Sequence, residues 1–197
     1  MVLAASAGGT DALVGLFRGL AAPLPAAFLV VLHGPSWMLD AFAQRLGREC
    51  PMKVALAAHG ERPTPGEIQI APGERHLVVE EGTLRLCLLD APPENRVRPS
   101  ADPLFRSAAK AFGRRCVAVV LTGMGRDGAA GAAEIAAAGG VVLVQDPATA
   151  QAPSMPQAVI DSKAATEVVA LEQMPAALER HVWAMSRAGG NGGVDGI

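Results

Sequence analysis

Residues 116–144 read CVAVVLTGMGRDGAAGAAEIAAAGGVVLV, and no other stretch constrains the fold as much. A β-branched run leads into a glycine-rich turn. An alanine-rich helical segment follows, closes at Gly139-Gly140, and gives way to a second β-branched run. This is the pattern of a βαβ crossover with its C-terminal helix signal in place. Such a unit needs a parallel sheet, and the rest of the chain supplies one. Short apolar runs at Val2–Ala5, Phe28–Leu32, Val54–Ala57, Glu67–Ala71, Val117–Leu121 and Val141–Val144 alternate with segments of helical period. Those segments are Asp11–Ala21, Trp37–Arg48, Pro103–Phe112, Ala129–Ala138 and Pro175–Ala188. The expectation is an α/β fold, doubly wound, with a mainly parallel sheet. Turns recur every few residues between 57 and 89 and polarity nearly alternates there, which predicts a small antiparallel excursion of two or three strands.

A chain of 197 residues is long enough for one sizeable core. Half of its residues are apolar, yet no run approaches the roughly 20 residues of a membrane-spanning helix. No basic leader precedes the first strand, so a cytoplasmic location without membrane insertion is expected. A net charge of −2 with no long basic run argues against nucleic acid as a partner. Cys50, Cys87 and Cys116 lack metal-ligand spacing and read as core residues, and no cofactor or metal is implied. The glycine-rich end, 189–197, is expected to be a flexible tail behind a single domain over 1–188.

In an open parallel sheet, reactants gather beyond the carboxyl ends of the strands. Three reactive side chains fall there: Ser6 after the first strand, His33 at the end of FLVVLH, and Asp127 in LTGMGRDG. A hydroxyl, an imidazole and a carboxylate are the parts of an activated nucleophile. Each has a plainer reading, since Ser6 suits a turn and Asp127 suits the cap of the helix behind it. The segment SAGGT lacks the spacing of a phosphate loop. GMGRDG keeps a dinucleotide-binding alternative open, on a weak glycine pattern. Arg96 and Arg98 precede a helix, where a guanidinium can hold an acidic partner or orient a loop. Met155-Pro156 opens a short helix.

AASAGGT, VVLHGP, IQIAPGERHL, NRVRPSADPLF, AVVLTGMGRDGAAG and MPQAVI, in this order, resemble the catalytic domain of the CheB-type chemotaxis protein-glutamate methylesterases. The resemblance runs from Val2 to about Ala188. It implies a cytoplasmic signal-transduction hydrolase that removes methyl esters from glutamates on the cytoplasmic helices of chemoreceptors, and often deamidates receptor glutamines. Carried over, Ser6 is the nucleophile, His33 the base and acid, Asp127 the orienting carboxylate, and Met124 the source of an oxyanion-binding N–H. Ala7, Arg96, Arg98 and Met155 become candidates for substrate or loop contacts.

Two positions depart from the family pattern. Ala4 replaces a glycine two positions before Ser6, where a side chain either crowds the turn or alters its packing, and Leu32 replaces a glutamine that often precedes the histidine. Together with the missing receiver domain, they motivate the alternative of a catalytically impaired module of the same fold that binds a signalling partner. The family's receiver domain has no room before Val2, so the expectation is either a stand-alone esterase, with a separate response regulator as a further candidate partner, or an excised domain.

Overall fold

The computed structural model describes residues 1–21 and 24–190. Seven strands form one sheet in the order β3-β4-β2-β1-β7-β8-β9, and every neighbouring pair in it is parallel. They are β1 (Val2–Ala5), β2 (Phe28–Leu32), β3 (Lys53–Leu56), β4 (Glu67–Ile70), β7 (Val117–Val120), β8 (Val141–Gln145) and β9 (Glu167–Val169). The antiparallel excursion is a separate two-stranded ribbon of β5 (His76–Val79) and β6 (Leu86–Leu89). Six α-helices lie among the described residues: α1 (Gly9–Arg18), α2 (Ser36–Glu49), α3 (Ala101–Phe112), α4 (Ala129–Ala137), α5 (Ser154–Asp161) and α6 (Met174–Gly190).

Alternation along the central strands feeds two cores. Leu3, Ala5, Val30, Leu32, Val119 and Leu121 pack with α1, α2 and α6 on one face. Val2, Ala4, Val31, Ala118 and Val120 pack with α3, α4 and α5 on the other. Side chains of one strand point alternately to the two faces, so a strand covered on both sides must be apolar throughout. That is why β1, β2 and β7 are continuous apolar runs, buried at every residue. Phe17 and Phe28 meet edge to face at 5.3 Å and lock α1 onto the sheet.

The same packing answers the question raised by Ala4 and Leu32. Ala4 is fully buried on the face of α3 and α4. Leu32 packs on the opposite face, beneath α1. An added Cβ on Gly9 would come 3.0 Å from Leu32 Cδ1 and 2.7 Å from Ala5 Cβ, so glycine at position 9 lets α1 approach these strands closely. Both departures therefore fall on core positions.

Two details differ from the sequence reading. The edge strand β9 was not anticipated: it has three residues, and of these only Val169 is buried. Helix α6 runs to Gly190, two residues into the expected tail; the remaining tail residues, 191–197, lie outside the described residues. Among the described residues, no helix is long and apolar enough to cross a membrane.

Candidate active site

Strand order reverses beside β1, with β2 reached on one side and β7, β8 and β9 on the other. Ligands of open α/β sheets bind at such a switch point, outside the carboxyl ends of the strands. Ser6, His33 and the turn from Thr122 to Asp127 leave β1, β2 and β7 at that edge. The register places Ala5 opposite Leu32, and His33 N donates to Ala5 O at 3.1 Å, so Ser6 and His33 emerge side by side. On the other side, Ser6 N donates to Thr122 O at 2.9 Å.

The turn around Ser6 is held from below. Thr122 Oγ1 donates to Ala7 O at 2.9 Å and accepts from Ala152 N at 2.9 Å, while Thr122 N donates to the buried Gln145 Oε1 at 2.8 Å. Gly123 has no room for a side chain: a Cβ there would lie 2.8 Å from Ser6 Cβ and 2.2 Å from Met155 Sδ. Met155 is fully buried and its N–H donates to Gly123 O at 3.0 Å, so it underlies the turn. Gly123 N and Gly125 N are bonded to Ala152 O and Ser154 Oγ. The amide of Met124 between them has no partner among the described residues, and its side chain is 70% exposed. The amide of Ala7 is likewise unpaired among the described residues.

Asp127 is the polar hub. It is 1% exposed, and a buried carboxylate is tolerable only when its oxygens are fully hydrogen-bonded. Its Oδ2 lies 2.7 Å from His33 Nε2 and accepts from Ala101 N at 2.6 Å. Its Oδ1 accepts from Ser100 Oγ at 2.5 Å, Asn95 Nδ2 at 2.9 Å, Gly128 N at 3.0 Å and Asp102 N at 3.2 Å. The amides of Ala101 and Asp102 open α3, so the carboxylate sits at the positive end of that helix. Gly128, with φ 87°, is the residue that caps α4. Burial pushes the Asp127 carboxyl up, but hydrogen bonds from His33, Ser100 and Ala101 outweigh it and hold the group below the ordinary carboxylate range. Ionised, it accepts only, so His33 Nε2 carries the proton between them.

The loop that covers Asp127 contains residues the sequence reading did not single out as site residues. His76 is buried; its Nδ1 accepts from Ser100 N at 3.1 Å and its Nε2 lies 3.0 Å from Pro92 O. Glu94 and Val97 form a bridge around a two-residue turn in which Asn95 (φ 55°) and Arg96 (φ 65°) are both left-handed. Asn95 Nδ2 reaches Asp127 and also Asp102 Oδ2, at 2.7 Å. The signal for Ser100 was present, since it stands at the N-cap position of α3 directly after Arg98-Pro99. The signal for Asn95 was not, because its role depends on the turn.

Arg98 donates to Asp90 Oδ1 at 3.0 Å and to Ala91 O at 2.9 Å, so it ties the loop together and is not free for an acidic partner. Arg96 is exposed without an ion pair among the described residues. Among the described residues, no group of three or more His, Cys, Asp or Glu is placed to hold a metal ion. A cavity of about 470 Å³ lined by Met1, Ala26, Phe112, Val117 and Val182 lies at the amino ends of the strands, on the edge away from this site.

Fold and site together define the class: a doubly wound α/β domain whose switch-point crevice sets an imidazole–carboxylate pair beside a strand-end serine. The family model described as CheB methylesterase matches residues 1–178. The protein-glutamate methylesterase/protein-glutamine glutaminase of Chromohalobacter salexigens is 42% identical over 95% of this chain and 53% of its own length. A second relative of that description, from Anaeromyxobacter dehalogenans, is 44% identical over 90% of this chain and 52% of its own. The crystal structure of the Thermotoga maritima CheB methylesterase catalytic domain superposes with a TM-score of 0.87 at 32% identity, covering 91% of this chain and 96% of that one. The chain belongs to the CheB methylesterase family. It spans about half the length of the curated relatives it matches.

Proposed function

We propose that this domain is a serine esterase that hydrolyses glutamyl methyl esters on the cytoplasmic helices of chemoreceptors, with Ser6, His33 and Asp127 as its triad. The observation that carries the reading is the bond between His33 Nε2 and a buried, fully hydrogen-bonded Asp127, at the strand edge where Ser6 emerges. With Nε2–H committed to Asp127, the lone pair of neutral His33 is on Nδ1, and that nitrogen takes the Ser6 proton. Ser6 Oγ attacks the ester γ-carbonyl, and its electrons move onto the carbonyl oxygen. The unpaired amides of Met124 and Ala7 supply donors for that oxyanion. Collapse expels methoxide, which leaves as methanol with the proton from His33. Water, deprotonated by the same nitrogen, then releases the glutamate and restores Ser6.

The same steps with a glutamine side chain expel ammonia, so deamidation is proposed for the same site; the relatives' descriptions name both activities. Ala4 and Leu32, two of the motives for a non-catalytic module, are absorbed by the cores, which favours the catalytic reading. The test is methanol release from a methyl-esterified receptor fragment. The wild type is expected to release it and Ser6→Ala to fall by roughly 10⁴-fold or more. Equal rates exclude the assignment.

A further inference from the structure

Two buried carboxylates lie behind His33. Asp127 is 1% exposed and Asp102 is 3% exposed, and like charges held this close in a poorly solvated site favour proton uptake by one of them. A single amide group stands between them. The two hydrogens of Asn95 Nδ2 are directed one to Asp102 Oδ2, at 2.7 Å, and one to Asp127 Oδ1, at 2.9 Å. Asp102 has one further donor, Gly131 N at 2.7 Å, whereas Asp127 has five donors besides Asn95. The amide is delivered by a strained backbone. Both Asn95 and Arg96 have positive φ, a conformation in which asparagine is tolerated and arginine is uncommon.

We propose that Asn95 is a positioning residue for the esterase: its amide bridges Asp127 and Asp102 so that Asp127 stays ionised against His33 while the second carboxylate remains beside it. The inference rests on the catalytic reading given above. Other charged groups surround the pair. Glu94 flanks the turn and is held by Arg106 through two bonds of 2.7 and 2.6 Å, and His76 contacts Ser100 from β5. Neither bonds to Asp127 or Asp102 among the described residues, so the bridge falls to Asn95. Burial pushes Asp102 up, with hydrogen bonds from Gly131 and Asn95 opposing it and the charge of Asp127 adding to it. The second carboxylate is thus the one that gains a proton first.

Asn95→Gly tests this cleanly, because glycine accepts the left-handed turn and removes only the amide. The acid limb of the kcat/KM profile is expected to move up by about one pH unit, since the pair loses its shared donor. Asn95→Gly with Asp102→Asn should bring the limb back toward the wild type, because one carboxylate is gone. An Asn95→Gly enzyme slowed equally at every pH, or a double variant no better than the single, overturns the proposal. A readout independent of turnover is the ¹³Cγ titration of the two aspartates in the wild-type chain. Asp102 should titrate above Asp127, and coincident titrations overturn the bridge even if Asn95→Gly fails to fold. A wild type without esterase activity but with separated titrations would sink the catalytic reading and leave the bridge standing.

Discussion

His33 and Asp127 are 94 residues apart in the chain and 2.7 Å apart in the fold, joined through Nε2 and Oδ2 with both side chains almost wholly buried. The contact depends on two strand ends and on the start of α3, whose first amides bind the same carboxylate. Asp127 therefore does two jobs: it orients an imidazole and satisfies the N-terminus of a helix that is distant in sequence. Asp127→Asn is expected to lower kcat by about 10³- to 10⁴-fold, the loss seen when a triad imidazole is left in the wrong tautomer. Steady-state ester hydrolysis measures it, and a loss below tenfold would remove Asp127 from the triad.

The same carboxylate makes stability depend on pH, and the sign is fixed by its environment. The Asp127 carboxyl is held below its unfolded value. Its contribution is fully present above the unfolded carboxylate range, near pH 4, and is lost as pH falls through the folded value. Asp127→Asn should therefore destabilise most at neutral pH, by roughly 1.5–3 kcal/mol as for lost hydrogen bonds to a buried charged group. The difference from wild type should shrink below about pH 4. Urea unfolding of both proteins at pH 7, 5 and 3 measures this; a difference constant across that range would show that the charge contributes nothing.

Ser100 deserves the same test, since its hydroxyl gives Asp127 a 2.5 Å bond while its own amide is held by His76. Ser100→Ala leaves the amide contacts of α3 in place and removes one charge-assisted bond, worth about 1.5–3 kcal/mol. A fall in kcat of roughly tenfold with little change in KM is expected. A raised KM with unchanged kcat would assign Ser100 to substrate binding instead.

How far the sequence foretold this site follows from which elements are local. The central strands were legible because burial on both faces forces continuous apolar runs, as in Val2–Ala5 and Phe28–Leu32. That Ser6, His33 and Asp127 lie beyond strand ends was legible too, because each follows an apolar run. What could not be read is whatever the turn geometry decides. Asn95 looks like an ordinary loop residue until Glu94 and Val97 pair around it. Arg98 looked like a candidate for an acidic partner, and only the fold brings Asp90 and Ala91 to it. Met155 was a contact candidate, and its buried place under Gly123 appears only once α5 has packed.

Gly123 gives the most direct steric prediction. An alanine methyl there would meet Ser6 Cβ at 2.8 Å and Met155 Sδ at 2.2 Å, distances at which something must shift. Met155 can bend away, because methionine is flexible. Ser6 cannot, since its amide is fixed to Thr122 O. The turn that presents the Met124 amide must then move, and displacement of about 1 Å at a reacting centre costs on the order of 10²-fold. Gly123→Ala is expected to lower kcat by that factor while the domain still unfolds cooperatively in urea, and unimpaired methanol release would show that the turn has slack.

Trp37 tests how a protein substrate meets this edge. It is 73% exposed and Met124 is 70% exposed, the two most exposed large apolar side chains among the described residues. Both lie in segments leaving the strand ends that hold the site, Trp37 in the first turn of α2 just beyond His33 and Met124 just beyond β7. An aromatic side chain left in water beside a reaction centre gains most when a partner covers it. Trp37→Ala should raise KM for a methylated receptor fragment by about 5- to 30-fold, equivalent to 1–2 kcal/mol of lost contact. Hydrolysis of a small acyl ester, which cannot reach α2, should be unchanged. Equal losses on both substrates would mean that Trp37 supports the position of His33 and does not touch the protein substrate.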